Sequence, residues 1–102
     1  MTTDKRSPYL PNLPTIQEAA EIPLFVADAW NGFCAPARTP ATVITRLHRE
    51  ITGIIRLPDV EKRLAALGNT IVGSTPEAFG AFMRAEREKW GKYAATLGAI
   101  PQ

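Results

Sequence analysis

Nine prolines punctuate this chain and decide where helices can run. A proline lacks the N–H that a helix interior needs and pushes the preceding residue towards extended backbone. Pro8, Pro11 and Pro14 therefore exclude a helix from residues 1–14, which read as an extended, irregular segment. Thr15 followed by Glu18 has the spacing of a capping box, so a short helix is predicted from Ile16 to Ala20, with Pro23 ending it. Residues 36–40 read as a turn. Thr39 is expected to cap a stronger helix with Pro40 as its first residue, where a missing N–H is harmless. Leu57-Pro58-Asp59 opens a shorter helix, and Thr75-Pro76-Glu77 opens a last one that runs to about Leu97, where Gly98 stops it.

Each of these helices carries an apolar face. Val43, Ile44, Leu47, Ile51, Ile54 and Ile55 fall on one stripe, while Arg46, Arg49, Thr52 and Arg56 face away. Val60, Leu64 and Leu67 point inward from the next helix, and Gly68 is placed to close it as a left-handed residue. Phe79, Phe82, Met83, Trp90, Tyr93 and Leu97 define the inner face of the last helix. Strand signals are sparse. Residues 24–33 read as extended, with Gly32 as a bulge, and residues 70–72 as one short strand. The fold class is α/β, mostly helical with few short strands. A sheet built from those two pieces leaves exposed edges and too little area to cover the stripes. Something else must pack here, either an absent lobe or a second copy of the chain.

Composition narrows the function. A length of 102 residues fits one small domain with a modest core, and 45% hydrophobic with 22% charged residues is ordinary for a globular chain. The net charge of +2 comes from interleaved signs. Arg46, Arg49, Arg56, Lys62, Arg63, Arg84, Arg87, Lys89 and Lys92 alternate with Glu50, Asp59, Glu61, Glu77, Glu86 and Glu88, a pattern of solvated helix faces rather than of nucleic-acid binding. Cys34 is the single cysteine, which excludes an intrachain disulfide and a cysteine-based metal site. No metal or other cofactor is expected. No apolar run reaches membrane-spanning length, and no apolar region follows the charges near Met1 as in a signal peptide. If Met1 is the native start, the expected compartment is the cytoplasm.

Chemistry-bearing residues are few. Glu86 projects through the inner face of the last helix and must be paired, hydrogen-bonded or protonated there. It reads as a ligand contact or general acid on one account. The favoured account is structural, with Glu86 holding an arginine or capping a neighbouring loop. His48 at the edge of its stripe has no acidic or nucleophilic partner indicated by spacing, so a boundary histidine and a small buried Cys34 are favoured over a Cys–His pair. No H-x-x-x-H pair, phosphate loop or nucleophile elbow occurs, and no enzyme is expected. Trp30-Asn31-Gly32 suits a ligand wall, an amide that grips a carboxylate, and a close backbone approach. The alternative makes Trp30 and Phe33 core anchors and Gly32 a bulge; the core reading is favoured for Trp30 and Phe33, and Asn31 is evenly divided between the two.

The run from Leu10 through Pro11, Asn12, Leu13, Pro14, Thr15, Ile16, Gln17 and Glu18 to Ala19 is followed by Trp30-Asn31-Gly32, Ala35-Pro36 and Thr39-Pro40. Gly68, Thr75-Pro76-Glu77, Phe79, Phe82, Glu86 and Trp90 come after it. In this order and spacing they resemble the C-terminal part of the tripartite tricarboxylate transporter receptors, the Bug or TctC-like solute-binding proteins, over residues 5–101. The resemblance implies a piece of a two-lobed periplasmic-binding-protein fold. Residues 1–35 would supply an extended segment, a short helix and return strands of the far lobe and hinge. Residues 36–102 would supply helices and one short strand of the near lobe. It further implies a periplasmic receptor without cofactor that closes on a small organic acid and hands it to membrane permease subunits, with Trp30, Asn31 and Gly32 near the cleft. Two departures stand out: Ala20-Glu21-Ile22-Pro23 where a glycine usually follows the short helix, and Arg38 where a glycine usually precedes Thr-Pro. Three functions are weighed: a partial receptor, a self-associating module without a ligand, and a small enzyme. The first is favoured, and the isolated chain is expected to be oligomeric.

Overall fold

A computed structural model describes residues 1–21 and 26–98. Four helices run along the chain: α1 (Ile16–Ala20), α2 (Ala41–Ile55), α3 (Pro58–Ala66) and α4 (Pro76–Thr96). The chain divides into two units, Met1–Cys34 and Ala35–Gln102.

In the first unit the prolines act as the sequence requires. The backbone before α1 makes successive turns, with the Leu10 amide donating to Ser7 O and the Leu13 amide to Leu10 O, each at 3.1 Å. The capping box forms in full. Glu18 N donates to Thr15 Oγ1 at 3.2 Å, and Thr15 N donates to Glu18 Oε2 at 3.0 Å. Arg6 reinforces it, its Nε donating to the same Glu18 oxygen at 2.8 Å and its Nη1 to Pro11 O at 3.1 Å. These donors hold the Glu18 carboxyl below its ordinary value, the Thr15 backbone N–H first and Arg6 second. Met1 closes the unit: Met1 O accepts from Ile16 N at 2.8 Å and the amino terminus donates to Pro14 O at 3.0 Å. Thr15, at the centre of this network, is 2% exposed and is the one buried side chain among the described residues. Pro23 and the first residues of the predicted extended segment lie outside the described residues.

In the second unit, α2 starts one residue later than predicted. Pro40 is the cap rather than the first helical residue, and the Thr39 hydroxyl donates to Pro36 O at 2.7 Å instead of capping. The turn already offers that carbonyl at short range, so the hydroxyl is taken before the helix begins. Helix α3 ends as predicted. Gly68 N bonds Ala65 O and Asn69 N bonds Leu64 O, both at 2.9 Å, with Gly68 at φ 78°, the pattern of a Schellman stop. Thr75 Oγ1 accepts from Ala78 N at 3.1 Å and opens α4, which ends at Thr96 with Leu97 as its cap. Helix α2 packs on α3. It is also tied to the loop before α4, by His48 Nε2 at 2.9 Å from Ser74 O and by the Arg56 guanidinium lying over Gly73.

Three expectations are corrected. No strand forms among the described residues, so the observed architecture there is helical and irregular rather than α/β. Residues 70–72 have β propensity, but a strand exists only where a neighbour accepts its ladder, and none is alongside. Leu67 is not inward but 76% exposed, because it is the residue on which α3 unwinds. A hydrophobic core does not close either, since no apolar side chain among the described residues is buried.

That last point can be sized. The chain exposes 8651 Å². Two separately compact units of these lengths would expose roughly 6,700 Å². The excess of about 2,000 Å² holds whatever the arrangement of the units, and it exceeds the area one partner gives up in a standard protein interface.

The two non-glycine residues at positive φ are Glu21 (54°) and Arg38 (67°). Glu21 lies within the Ala20–Pro23 stretch, and Arg38 is the turn residue, where the resemblance implies a glycine. Glycine would accommodate the left-handed backbone without strain, which these residues do not.

Candidate functional site

Trp30, Asn31 and Gly32 lie on an irregular stretch at the end of the first unit. No helix or ladder includes this stretch among the described residues. All three residues are exposed, Trp30 at 42%, and the following Phe33 is 77% exposed. The core reading of Trp30 and Phe33 is therefore corrected: both rings are exposed, and no apolar side chain among the described residues is buried. Two exposed rings thus bracket an exposed amide and a glycine. An asparagine amide can donate to and accept from a carboxylate or hydroxyl, and flanking rings exclude water from those bonds.

Cys34 follows directly and is exposed rather than buried. His48 lies in the second unit, half-buried on α2, with its Nε2 engaged by Ser74 O. Its contact is with a main-chain carbonyl, which suits a tie between α2 and the following loop.

Glu86 is paired on its own helix. Its Oε1 lies 2.6 Å from Lys89 Nζ and its Oε2 accepts from Trp90 Nε1 at 2.9 Å, with the carboxylate side chain 14% exposed. Lys89 Nζ also sits 5.1 Å from the centroid of the Trp90 ring, which lies tilted by 48° against Tyr93 with 5.7 Å between ring centroids. The expected structural partner is an arginine or a neighbouring loop; Lys89 and Trp90, one turn along, pair with the carboxylate. The signal was present in the spacing, because residues three and four apart on a helix are neighbours. A second pair on α4, Glu88 with Lys92 at 2.9 Å, lowers the Glu88 pKa through the lysine hydrogen bond and its charge.

Two shallow, open depressions lie on the helices, one along Thr42, Val43, Arg46, Leu47 and Glu50 and one along Ala85, Glu88, Lys89, Lys92, Tyr93 and Thr96. Neither is an enclosed site, and neither is lined by Trp30, Asn31 or Gly32. Among the described residues no group of three or more His, Cys, Asp or Glu side chains could hold a metal ion, and no helix is long and apolar enough to cross a membrane.

Comparison with known proteins gives a consistent match. The family model described as tripartite tricarboxylate transporter family receptor matches residues 1–98. A UPF0065 protein encoded in the tcbD-tcbE intergenic region of Pseudomonas sp. (strain P51) is 41% identical over 92 residues, covering 90% of this chain and 27% of that protein. One from the clcB-clcD intergenic region of Pseudomonas knackmussii is 30% identical over 92 residues, covering 90% of this chain and 54% of that protein. A third, from the TAR-I ttuE-ttuC' intergenic region of Agrobacterium vitis, is 32% identical over 101 residues, 96% of this chain and 29% of that protein. The chain thus spans about a quarter to a half of the length of these relatives.

Proposed function

The chain belongs to the tripartite tricarboxylate transporter receptor family, and from that premise we propose that it is part of a solute-binding receptor that recognises a small organic acid in its full-length form. The family is one of transport receptors, not of enzymes. The proposed role is capture of a carboxylate solute in the periplasm, without cofactor, and its delivery to the membrane permease subunits of the transporter. Residues 1–35 belong in this reading to the far lobe and hinge, and residues 36–102 to the near lobe.

The observation that carries the reading is the exposed Trp30-Asn31-Gly32 stretch within a chain matched to the family along nearly its whole length. It supplies half of a recognition surface. Specificity in a cleft shared by two walls is a property of both walls, so the particular acid is set jointly with the rest of the receptor.

The test uses this chain grafted in place of its matching segment in the Pseudomonas sp. P51 relative. The chain has two tryptophans. With Trp90→Phe in the graft, the change in emission caused by mono-, di- and tricarboxylates is compared with that of a further variant lacking Trp30. A saturable change that Trp30→Phe removes and Asn31→Ala weakens at least about tenfold supports the reading. Binding that is indifferent to Asn31 and Trp30 would refute the assignment of this stretch.

A further inference from the structure

Arg38 stands on a turn that is held from several sides. The Thr39 amide donates to Pro36 O at 3.2 Å, and the Thr39 hydroxyl donates to the same oxygen at 2.7 Å. Pro36 and Pro40 restrict the backbone before and after it. Within this frame Arg38 takes φ 67°, where the Cβ of an L-residue is strained. Such residues persist where the surrounding structure over-determines them, and they gather at ligand contacts. Glu21, the other non-glycine residue at positive φ, is accounted for as the C-cap of α1, a usual place for left-handed backbone. Arg38 ends no helix. Other arginines, such as Arg46, Arg84 and Arg87, stand on ordinary helical backbone.

The side chain itself has no structural task that would explain the strain. It is exposed, and its guanidinium makes neither a hydrogen bond nor an ion pair among the described residues. No acidic residue stands between Asp28 and Glu50 in the sequence, and Glu50 is paired with Arg49 at 3.4 Å. A guanidinium presents paired donors in one plane, which match the two oxygens of a carboxylate. We propose that Arg38 is a specificity residue of the receptor, the side chain that meets a carboxylate of the organic-acid solute. The inference rests on the reading of the solute as an organic acid and names a further side chain that grips it. A braced turn suits the task, because it fixes the point from which the long side chain reaches and so limits what ordering costs on binding. Glycine would fit the turn without strain but would offer the solute no charge.

The experiment uses the same graft into the P51 relative and measures affinity by calorimetry. The probes are benzoate, succinate and citrate, each set against the analogue in which one carboxylate is a primary amide. Arg38→Gln keeps a strained backbone and much of the side-chain length while removing the charge. It should weaken binding of the tightest of the three acids by about tenfold to a hundredfold, as for a lost hydrogen bond to a charged group, and change binding of its amide by no more than about twofold. Arg38→Lys keeps the charge without the planar pair of donors and should recover part of the loss. Hydrogen exchange at the Thr39 amide should be alike in both variants, which shows that the turn is intact.

Equal weakening of acid and amide makes the role of Arg38 structural and overturns the proposal. So does a loss that disappears at high salt, since a general positive field is screened far more than a contact pair sheltered from water. Undiminished binding of the acid by Arg38→Gln also overturns it, and where Trp30→Phe and Asn31→Ala still impair that binding, the solute reading stands without Arg38. A graft that binds none of the three acids refutes the solute reading and this proposal with it.

Discussion

Arg38 should be replaceable by glycine with a gain in order. It occupies the third position of the turn closed by Thr39 N on Pro36 O at 3.2 Å, and its φ is 67°. An L-residue there suffers a clash between Cβ and carbonyl worth about 1–2 kcal/mol. Glycine removes that clash but gives the unfolded chain more freedom, which returns about 0.4–1 kcal/mol. The net is about 0.5–1 kcal/mol in favour of Arg38→Gly, or about two- to fivefold in the population of the closed turn. The assay is hydrogen exchange at the Thr39 amide, which reads the turn locally and does not require cooperative unfolding of the chain. A series separates backbone from charge. Arg38→Ala removes the guanidinium but keeps the strain and should leave exchange unchanged, while Arg38→Asn should fall between, because asparagine tolerates the left-handed region better. The mirror experiment is Gly73→Ala at φ 60°, where the added Cβ lies 3.0 Å from Arg56 Nη2. The arginine end can swing aside, so the loss is mainly backbone strain, about 1 kcal/mol. Unchanged Thr39 exchange in Arg38→Gly together with a neutral Gly73→Ala would refute the claim that these left-handed positions store strain.

Thr15→Ala should weaken α1 by about 1 kcal/mol, read as faster exchange of the Glu18 and Ala19 amides. Glu18 should titrate below an ordinary glutamate. Because its folded pKa is depressed from 4.5, its support for the capping box is fully present above that value and is lost as pH falls through the lower folded one, which a carboxyl carbon titration will show. Lys92→Ala should return Glu88 towards its ordinary value without changing Glu18. Gly53→Ala should gain about 1 kcal/mol of α2 helicity, since Gly53 is in the helix interior and its added Cβ meets nothing within 4 Å. In the grafted receptor, Glu86→Gln should leave solute affinity unchanged while altering Trp90 emission, because Glu86 is bound to Lys89 and Trp90 on its own helix.

What the sequence made legible is local. Capping at Thr15 and Thr75, the stop at Gly68 and the breaks set by Pro8, Pro11 and Pro14 depend on residues within one turn of each other, and all appear in the structure. The Thr39 cap failed because a competitor equally close, Pro36 O, takes its hydroxyl. Legibility ends where a residue's fate depends on a distant partner. The 70–72 segment has the composition of a strand but nothing to pair with, and Leu67, Val72 and Phe33 have the composition of core but are 76%, 78% and 77% exposed. A periodic apolar pattern states that a face is to be covered, never by what.

The same distinction governs the site. Asn31 can be recognised as a polar group between rings from its neighbours alone, yet its evenly divided reading could not be resolved from them. Whether Trp30 is wall or core turns on what faces it, and in this chain it is 42% exposed. The exposed edge of α2 and the exposed Trp30-Asn31-Gly32 stretch share one property: both set large apolar groups beside polar ones without burying them. Local sequence fixes the type of such a surface, whereas its role follows from what is packed against it.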